Sequence, residues 1–367
     1  MAVPDWPNTF GYNMFTFPIS NWIGGIFYEH THRLIASAIG FAVVILNALL
    51  WSWELKGNQK LSNVISIIFI LAMAAVGLIA FVAALISMGV QNLWVFLLVV
   101  SPLMVLAVFG LWKFASNSKE LRWLALTALA AVILQGVLGG LRVELYKDEI
   151  GIFHGMLAQA FFCGITLLAV ITSRAFKEKR WAAYEPHQNI RFWVLGTTLL
   201  IFVQLGVAAT MRHEHIGLSI PDFPLAYGQV LPDTSAEAMA RINAERAAMT
   251  PAQPATNALQ VWIQMVHRFI AVLIAAAVVT IFAKSRRTSR GSQKFATLWM
   301  GMIFVQICLG AWTIWSNKAA DVATLHMALG ALSLVLGAVF TLWLFRGART
   351  EDFAWPDAPK RPMMGVA

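Results

Sequence analysis

Long apolar runs constrain the fold of this chain more than any other feature of its 367-residue sequence. A helix needs about 20 mostly apolar residues to cross a bilayer, and runs of that length recur through most of the chain. We predict nine membrane-spanning helices, at about 25–53, 61–87, 92–115, 120–143, 150–175, 191–212, 257–284, 294–316 and 320–346. The residues are 59% hydrophobic and only 12% charged, and a soluble domain of this composition would expose large apolar patches. The sequence therefore predicts an all-α integral membrane protein surrounded by the lipid bilayer.

The distribution of basic residues predicts the orientation of these spans. Most of the 27 Lys and Arg residues lie in one set of loops, and the positive-inside rule assigns that set to the cytoplasm. The C-terminal tail at 351–367 is then cytoplasmic, and the N-terminus lies outside. Because the net charge of +9 follows from this topology, we expect no nucleic-acid partner. Cys163 and Cys308 lie inside apolar runs, so the sequence predicts no disulfide framework.

The sequence also contains an internal repeat. Four segments recur in the same order in both halves: VPDWPNTFGY from Val3 matches IPDFPLAYGQ from Ile220, HRLIASAIGFAVV from His32 matches HRFIAVLIAAAVV from His267, QGVLGG from Gln135 matches QICLGA from Gln306, and FHGMLAQAFF around His154 matches LHMALGALSL around His326. Self-similarity of this kind indicates a repeated structural unit. Since both copies start on the same predicted side of the membrane, we expect parallel repeats, each a four-helix bundle, side by side.

The repeat divides the chain into two predicted halves. The N-terminal repeat covers residues 1–180, and the C-terminal repeat covers residues 191–350. The first half carries an inserted helical hairpin at about 57–118 that has no counterpart in the second. The helix that precedes PDFP has no counterpart before PDWP, so either Met1 is an internal residue of a longer reading frame or this protein lacks that helix. The long loop at about 213–256 contains SAEAMARINAERAAM, whose composition favours a short amphipathic helix or a flexible loop.

Five histidines lie inside predicted spans, and four of them occupy matching positions of the repeat, near the outer ends of helices that run inward: His32, His154, His267 and His326. The fifth, His30, lies off the helical face of His32 and is given no role. Ionisable residues are costly in a bilayer and are therefore candidates for function. Two histidines on different helices of one bundle can supply both axial ligands of a haem iron, so the repeat predicts two haem sites, His32/His154 and His267/His326. A membrane histidine can also simply bond across helices. Zinc is disfavoured because no cysteine or carboxylate cluster completes a tetrahedral ligand set.

The two predicted sites differ at one neighbouring position. Glu29 lies three residues before His32, on the same helical face, whereas Gln264 has the equivalent position before His267. A carboxylate can exchange protons during oxygen chemistry, and an amide cannot. We therefore assign chemistry to the first site and electron supply to the second. The favourable dipole interaction of a glutamate near a helix start is the alternative explanation.

Arg33 and Arg268 directly follow the repeated histidines His32 and His267. Arginine pairs well with carboxylates, so both arginines are candidates for binding haem propionates. The alternative is an arginine at the membrane interface whose guanidinium reaches water.

Several motifs occur together in this chain: the ExxHR pattern of Glu29, His32 and Arg33, the PDWP and PDFP loops, LQGVLGG leading to FHGMLAQ, and the second HR pair at His267. This ordered set resembles the haem A synthase family. The resemblance implies an oxidoreductase of the bacterial cytoplasmic membrane. Its reaction would oxidise the C8 methyl of haem O to a formyl group by successive hydroxylations, giving haem A for cytochrome oxidase.

The resemblance also implies a division of roles. Haem b would reside in the C-terminal half, bound by His267 and His326. The substrate haem O would bind in the N-terminal half at His32 and His154, where an acidic residue at the position of Glu29 is needed for activity. Both haem sites would lie toward the extracytoplasmic face. Some members of the family carry paired cysteines in their outer loops, and this sequence has none there.

Two other functions stay open from the sequence. A dihaem b-type electron-transfer protein would hold two permanent haems and form no product, and a haem transporter or chaperone would exchange haem without oxidising it. Haem O synthase and components of cytochrome oxidase assembly are the expected protein partners. The electron donor, the oxygen source and homo-oligomerisation are left open.

Overall fold

The computed structural model describes residues 2–54, 105, 121–177, 188–249 and 252–346. Its α-helices, numbered in chain order, are α1 (Gly25–Glu54), α2 (Leu121–Leu145), α3 (Asp148–Thr172), α4 (Arg174–Lys177), α5 (Gln188–His213), α6 (Ala236–Ala248), α7 (Ala258–Ser285), α8 (Arg290–Trp315) and α9 (Ala320–Arg346). Short 3-10 helices at Ile19–Asn21 and Ile216–Leu218 precede α1 and follow α5. Apart from two isolated bridges in loops, the described residues form no β-structure.

Seven helices are long and apolar enough to cross a membrane, namely α1, α2, α3, α5, α7, α8 and α9. They confirm seven of the nine predicted spans, with ends that differ by a few residues. The predicted spans at 61–87 and 92–115 lie outside the described residues, apart from Val105. The chain is therefore an all-α, multi-pass membrane protein.

The ends of several helices follow from local capping. The side chain of Asn257 accepts from the backbone N–H of Gln260, and the side chain of Gln260 accepts in return, which makes a capping box at the start of α7. Ser235 and Ser289 cap α6 and α8 in the same way, each by one side-chain bond. Of the two structures predicted for the SAEAMARINAERAAM segment of the long loop, a short helix and a flexible loop, α6 confirms the short helix.

The described helices fall into two compact units. The first contains α1 packed on α2, and the second contains α3 to α9. Within the second unit, α3 contacts α5 and α9, although the sequence repeat assigns α3 to the N-terminal half. The repeat boundaries near residues 180 and 191 therefore stay a prediction from sequence.

Four helices of the second unit form a closed ring. α5 packs on α7, α7 on α8, α8 on α9, and α9 on α5, so α7 and α9 lie opposite each other, as do α5 and α8. Every helix of the ring contributes to one core, whose members include Val194, Ile201, Val278, Ile281, Trp299, Phe340 and Leu344. Trp299 is fully buried against Gly337, where a Cβ would come within 2.7 Å of Cζ2 of the indole. This close packing fixes the positions of α8 and α9 relative to each other.

The outer surface of the ring is apolar as well. Val272 on α7 and Phe304 on α8 are each about two-thirds exposed, at 67% and 68%. Such side chains would be unfavourable in water over so large a surface. In a bilayer they face hydrocarbon, where helix association depends on close packing rather than on the hydrophobic effect.

Candidate haem sites and their loops

His267 and His326 lie on the two opposed helices of the ring. Both are within the first three turns of their helices, α7 and α9, which face each other across the ring. Each residue is half-buried, and each Nδ1 is buried without a hydrogen-bond partner among the described residues. The Nε2 atoms likewise bond to none of the described residues. Both imidazoles therefore keep ring nitrogens available for a ligand.

These contacts fit a haem iron better than a bare metal ion. Two neutral imidazoles from opposed helices are the donor set of a bis-histidine haem. Gly310 on α8 lies so close to His326 that a Cβ would be 3.1 Å from its Cε1, so this glycine leaves the imidazole room. Within the described ranges, no three His, Cys, Asp or Glu side chains group in a way that could hold a metal ion by themselves.

Gln204 and Gln306 also contact this site, although the sequence predicts no role for them. Gln204 on α5 donates its Nε2 to the carbonyl oxygen of His267 at 2.8 Å. Gln306 on α8 donates its Nε2 to the carbonyl oxygen of His326 at the same distance. The sequence signal that could have identified them is the repeated FVQ at 202–204 and 304–306. A glutamine in the middle of an apolar span belongs neither to a turn nor to an apolar core.

The PDFP loop (residues 216–229) is fastened to α7 by Gln264. Its Oε1 accepts from the N–H of Ile220 at 2.7 Å, and its Nε2 donates to the carbonyls of Ile220 at 3.2 Å and Gly217 at 3.5 Å. Gln264 is almost fully buried. Because it lies one turn before His267 on the same helix, the loop is fixed directly beside the candidate site.

Arg268 provides the second attachment of the PDFP loop. Its guanidinium donates to the carbonyl oxygens of Leu225 at 2.8 Å and Asp222 at 2.7 Å. The Asp222 carboxylate in turn accepts from the N–H groups of Tyr227 and Gly228. Arg268 therefore fastens the loop here, and its predicted contact with a haem propionate stays a prediction.

The PDWP loop (residues 2–12) of the first unit is fastened to α1 by Glu29. One carboxylate oxygen, Oε2, accepts from the N–H groups of Ala2 at 2.7 Å and Val3 at 3.2 Å. The other, Oε1, lies 3.2 Å from the guanidinium of Arg33 in a salt bridge. Glu29 thus has a structural contact in addition to the proton-transfer role that the sequence predicts.

Arg33 fastens the PDWP loop as Arg268 fastens the PDFP loop. It donates to the carbonyls of Asp5 at 2.7 Å, Asn8 at 2.8 Å and Val3 at 3.3 Å. The Asp5 carboxylate accepts from the N–H groups of residues 10 and 11, as Asp222 does in the other loop. The two loops therefore have the same local structure, and propionate binding by Arg33 also stays a prediction.

The polar pair of Thr9 in the PDWP loop and His30 on α1 has no counterpart at the PDFP loop. His30 is fully buried, its Nδ1 lies 3.2 Å from Oγ1 of Thr9, and its ring packs against Phe17 and Trp22 at centroid distances of 5.1 and 4.7 Å. The repeat aligns His30 with Met265. The sequence predicts no role for His30, because it lies off the helical face of His32.

The first predicted histidine pair is not tested by these contacts. His32 lies on α1 in the first unit and His154 lies on α3 in the second. Both side chains have contacts with other residues. Their pairing around a haem stays a prediction from the repeat.

The fold and the paired histidines define a class, a polytopic helical membrane protein whose transmembrane helices carry opposed haem-ligand candidates. Residues 93–339 match the model of the COX15-CtaA family, described as cytochrome oxidase assembly protein. The chain belongs to this family. The match includes His154, His267 and His326, and it begins after Glu29 and His32.

Comparison with individual proteins gives the same result. The chain is 23% identical over 249 residues to the heme A synthase of Shouchella clausii (strain KSM-K16), covering 66% of this chain and 73% of that protein. It is 22% identical over 253 residues to the heme A synthase of Staphylococcus carnosus (strain TM300), with the same two coverages. The heme A synthase of Bacillus cereus (strain AH187) is 20% identical over 221 residues, which is 59% of this chain and 63% of that protein. The family predicted from the motifs is therefore confirmed.

Proposed function

We propose that this chain is a haem A synthase, a membrane oxidoreductase that converts haem O to haem A for cytochrome oxidase. The observation that carries the proposal is the family match across the helices that bear His154, His267 and His326. The similar proteins named heme A synthase favour this function over a dihaem electron-transfer protein or a haem transporter. The substrate methyl group would be oxidised to a formyl group by successive hydroxylations.

The second half would hold the resident haem b. His267 and His326 on opposed helices are its ligands in this proposal, since their ring nitrogens bond to none of the described residues. When bound, haem supplies one-electron transfer. The residues of the chain hold and orient the haem. Gln264 and Arg268 fix the PDFP loop in place next to His267.

The first half would bind haem O at His32 and His154, with Glu29 exchanging protons during the oxidation. This assignment rests on the repeat and on the difference between Glu29 and Gln264. The finer architecture follows the same repeat, with two parallel four-helix bundles covering residues 1–180 and 191–350. The basic loops favour a cytoplasmic C-terminus in a bacterial cell membrane, with both haem sites toward the opposite face.

Product analysis tests the proposed function. The full chain is co-expressed with a haem O synthase in a host that makes no haem A, and extracted haems are identified by mass. Haem A or its hydroxymethyl intermediate is expected. Only haem B and haem O from a folded, membrane-inserted chain would contradict the synthase function.

Histidine variants test the proposed sites. Changing His267 or His326 to Ala should remove the resident haem, measured as haem per protein after purification. His215→Asn is the matched control, because His215 is an exposed loop residue with a left-handed backbone that asparagine tolerates. A full haem content in either alanine variant would refute the ligand assignment.

A further inference from the structure

The two glutamines of the ring make equivalent bonds to the two candidate ligands. Gln204 comes from α5 and Gln306 from α8, the pair of opposed helices that carries no histidine of the site. Each donates its Nε2 to the backbone carbonyl of a histidine on a neighbouring helix, His267 or His326, at 2.8 Å. The amide group of each glutamine is thereby fixed next to the residue that would ligate iron.

These bonds leave complementary atoms without partners. The Oε1 of Gln204 and of Gln306 is buried and accepts no bond from a described residue. The Nδ1 of His267 and of His326 is buried and equally without a bond in the described part of the chain. Each glutamine–histidine pair thus contains one unused acceptor and one ring nitrogen that can carry a proton.

Small residues make room for this arrangement on α8 and α9. A Cβ on Gly330 would lie 3.1 Å from Nε2 of Gln306, and a Cβ on Gly310 would lie 3.1 Å from Cε1 of His326. Gly310 is one turn after Gln306, and Gly330 is one turn after His326. The imidazole and the amide therefore lie along the same strip of contact between the two helices.

Ligand chemistry supplies the missing bond. A neutral imidazole that binds a metal through one nitrogen carries its proton on the other, and that N–H nearly always donates to an oxygen, which fixes the tautomer and the ring orientation. We propose that Gln204 and Gln306 are positioning residues, whose Oε1 atoms accept from Nδ1–H of His267 and His326 when Nε2 of each histidine ligates the haem iron. The inference rests on the proposed haem site in the second half.

The bond has an electronic consequence that a purely structural contact lacks. An acceptor on Nδ1–H makes the imidazole a stronger ligand, which stabilises ferric over ferrous iron. Replacing Gln306 by Leu removes the acceptor, so the midpoint potential of the resident haem should rise. Replacing it by Glu keeps an acceptor and strengthens it by charge, so the potential should fall. The same opposite shifts are expected for Gln204.

The experiment uses the full chain, purified with its haem. Midpoint potentials come from spectroelectrochemical titration, and the ferric haem is also recorded by electron paramagnetic resonance. Thr313→Val and Thr210→Val are matched controls on α8 and α5, because each hydroxyl bonds to a carbonyl of its own helix and to no other group in the described part of the chain. The leucine variants should retain haem about 10- to 100-fold less tightly, whereas the controls should match the parent in potential and spectrum.

Either of two outcomes overturns the inference. One is a parental potential and spectrum in the leucine variants, whatever their thermal stability. The other is a shift of the leucine and glutamate variants in the same direction. Failure of the underlying haem site would look different, because His267→Ala and His326→Ala would then keep the haem content of the parent.

Discussion

Glu29→Gln separates the two roles that Glu29 has in this chain. The substitution keeps the size of the side chain and a carbonyl oxygen that can accept from Ala2 and Val3, as Glu29 does now. Gln264 shows that an amide suffices for such a contact, since its Oε1 accepts from Ile220 at 2.7 Å. The variant therefore retains an acceptor for the PDWP loop and loses the ionisable group together with its salt bridge to Arg33.

The expected loss of stability is moderate. The salt bridge between Glu29 and Arg33 spans 3.2 Å, with side chains only 21% and 9% exposed. A hydrogen bond to a charged group in such a largely buried position contributes about 1.5–3 kcal/mol, and Arg33 keeps its three bonds to loop carbonyls. The free energy of unfolding should therefore fall by about 1.5–3 kcal/mol. Loss of a general acid or base, in contrast, should reduce haem A formation by at least about 100-fold.

The assay measures product, resident haem and melting temperature in the same preparations. Gly337→Ala is the stability control, because its new methyl group meets Trp299 in the core of the ring, eleven residues after His326 on α9. That control should lose about 1–3 kcal/mol of stability and keep its activity per folded molecule. Product formation by Glu29→Gln within about threefold of the parent would refute the proton-transfer role. Loss of its resident haem would refute the division of labour between the halves.

Three further predictions concern the ring and the PDFP loop. Gly337→Ala should destabilise the ring by about 1–3 kcal/mol, measured as a lower melting temperature, because the new methyl group meets Trp299. Gly301→Ala is the control, since a Cβ there meets no atom within 4 Å. Equal effects of the two substitutions would contradict the role of close packing at Gly337. Arg268→Met should loosen the PDFP loop and with it α6, whose Met239 and Ile242 pack against Ile220 and Ala226 of the loop. Trypsin should then cleave after the exposed Arg241 of α6 faster than in the parent. Unchanged cleavage would show that the two guanidinium bonds are dispensable. The pKa of Tyr227 lies above its usual value, chiefly because the residue is buried. The stability of the loop should therefore be constant below about pH 10 and fall as the pH rises through the raised pKa of the folded state. Tyr227→Phe should show no such fall, and it should lower stability at neutral pH by about 1 kcal/mol, since the hydroxyl donates to the carbonyl of Ser219.

The spans and the loop motifs could be predicted because their signals are local. A run of apolar residues determines a transmembrane helix without reference to the rest of the chain, and seven predicted spans are confirmed on that basis. The turn in each loop is equally local, since Asp5 and Asp222 bond to N–H groups only five and six residues later.

The contacts that join loop to helix and helix to helix could not be predicted in this way. Gln264 bonds to Ile220 over 44 positions, and Gln204 bonds to His267 over 63. Sequence spacing gives no register for such pairs, because it depends on which faces of two helices meet. The contacts of Arg33 and Arg268 with loop carbonyls could not be predicted either, because those carbonyls lie 25 to 46 positions away. The sequence therefore predicts only that both arginines bind haem propionates.

The equivalence of the two loops strengthens the argument from Glu29. Arginine, aspartate and the turn are the same in both, whereas Glu29 and His30 on α1 align with Gln264 and Met265 on α7. Both α1 positions carry a titratable group that the equivalent α7 positions lack, although within the loops Phe10 aligns with the titratable Tyr227. An amide already fastens the PDFP loop, so attachment of the loop does not by itself require a carboxylate in the first half. The titratable side chains of Glu29 and His30, close to His32 in the sequence of α1, therefore support placing proton transfer in the half that is proposed to bind haem O.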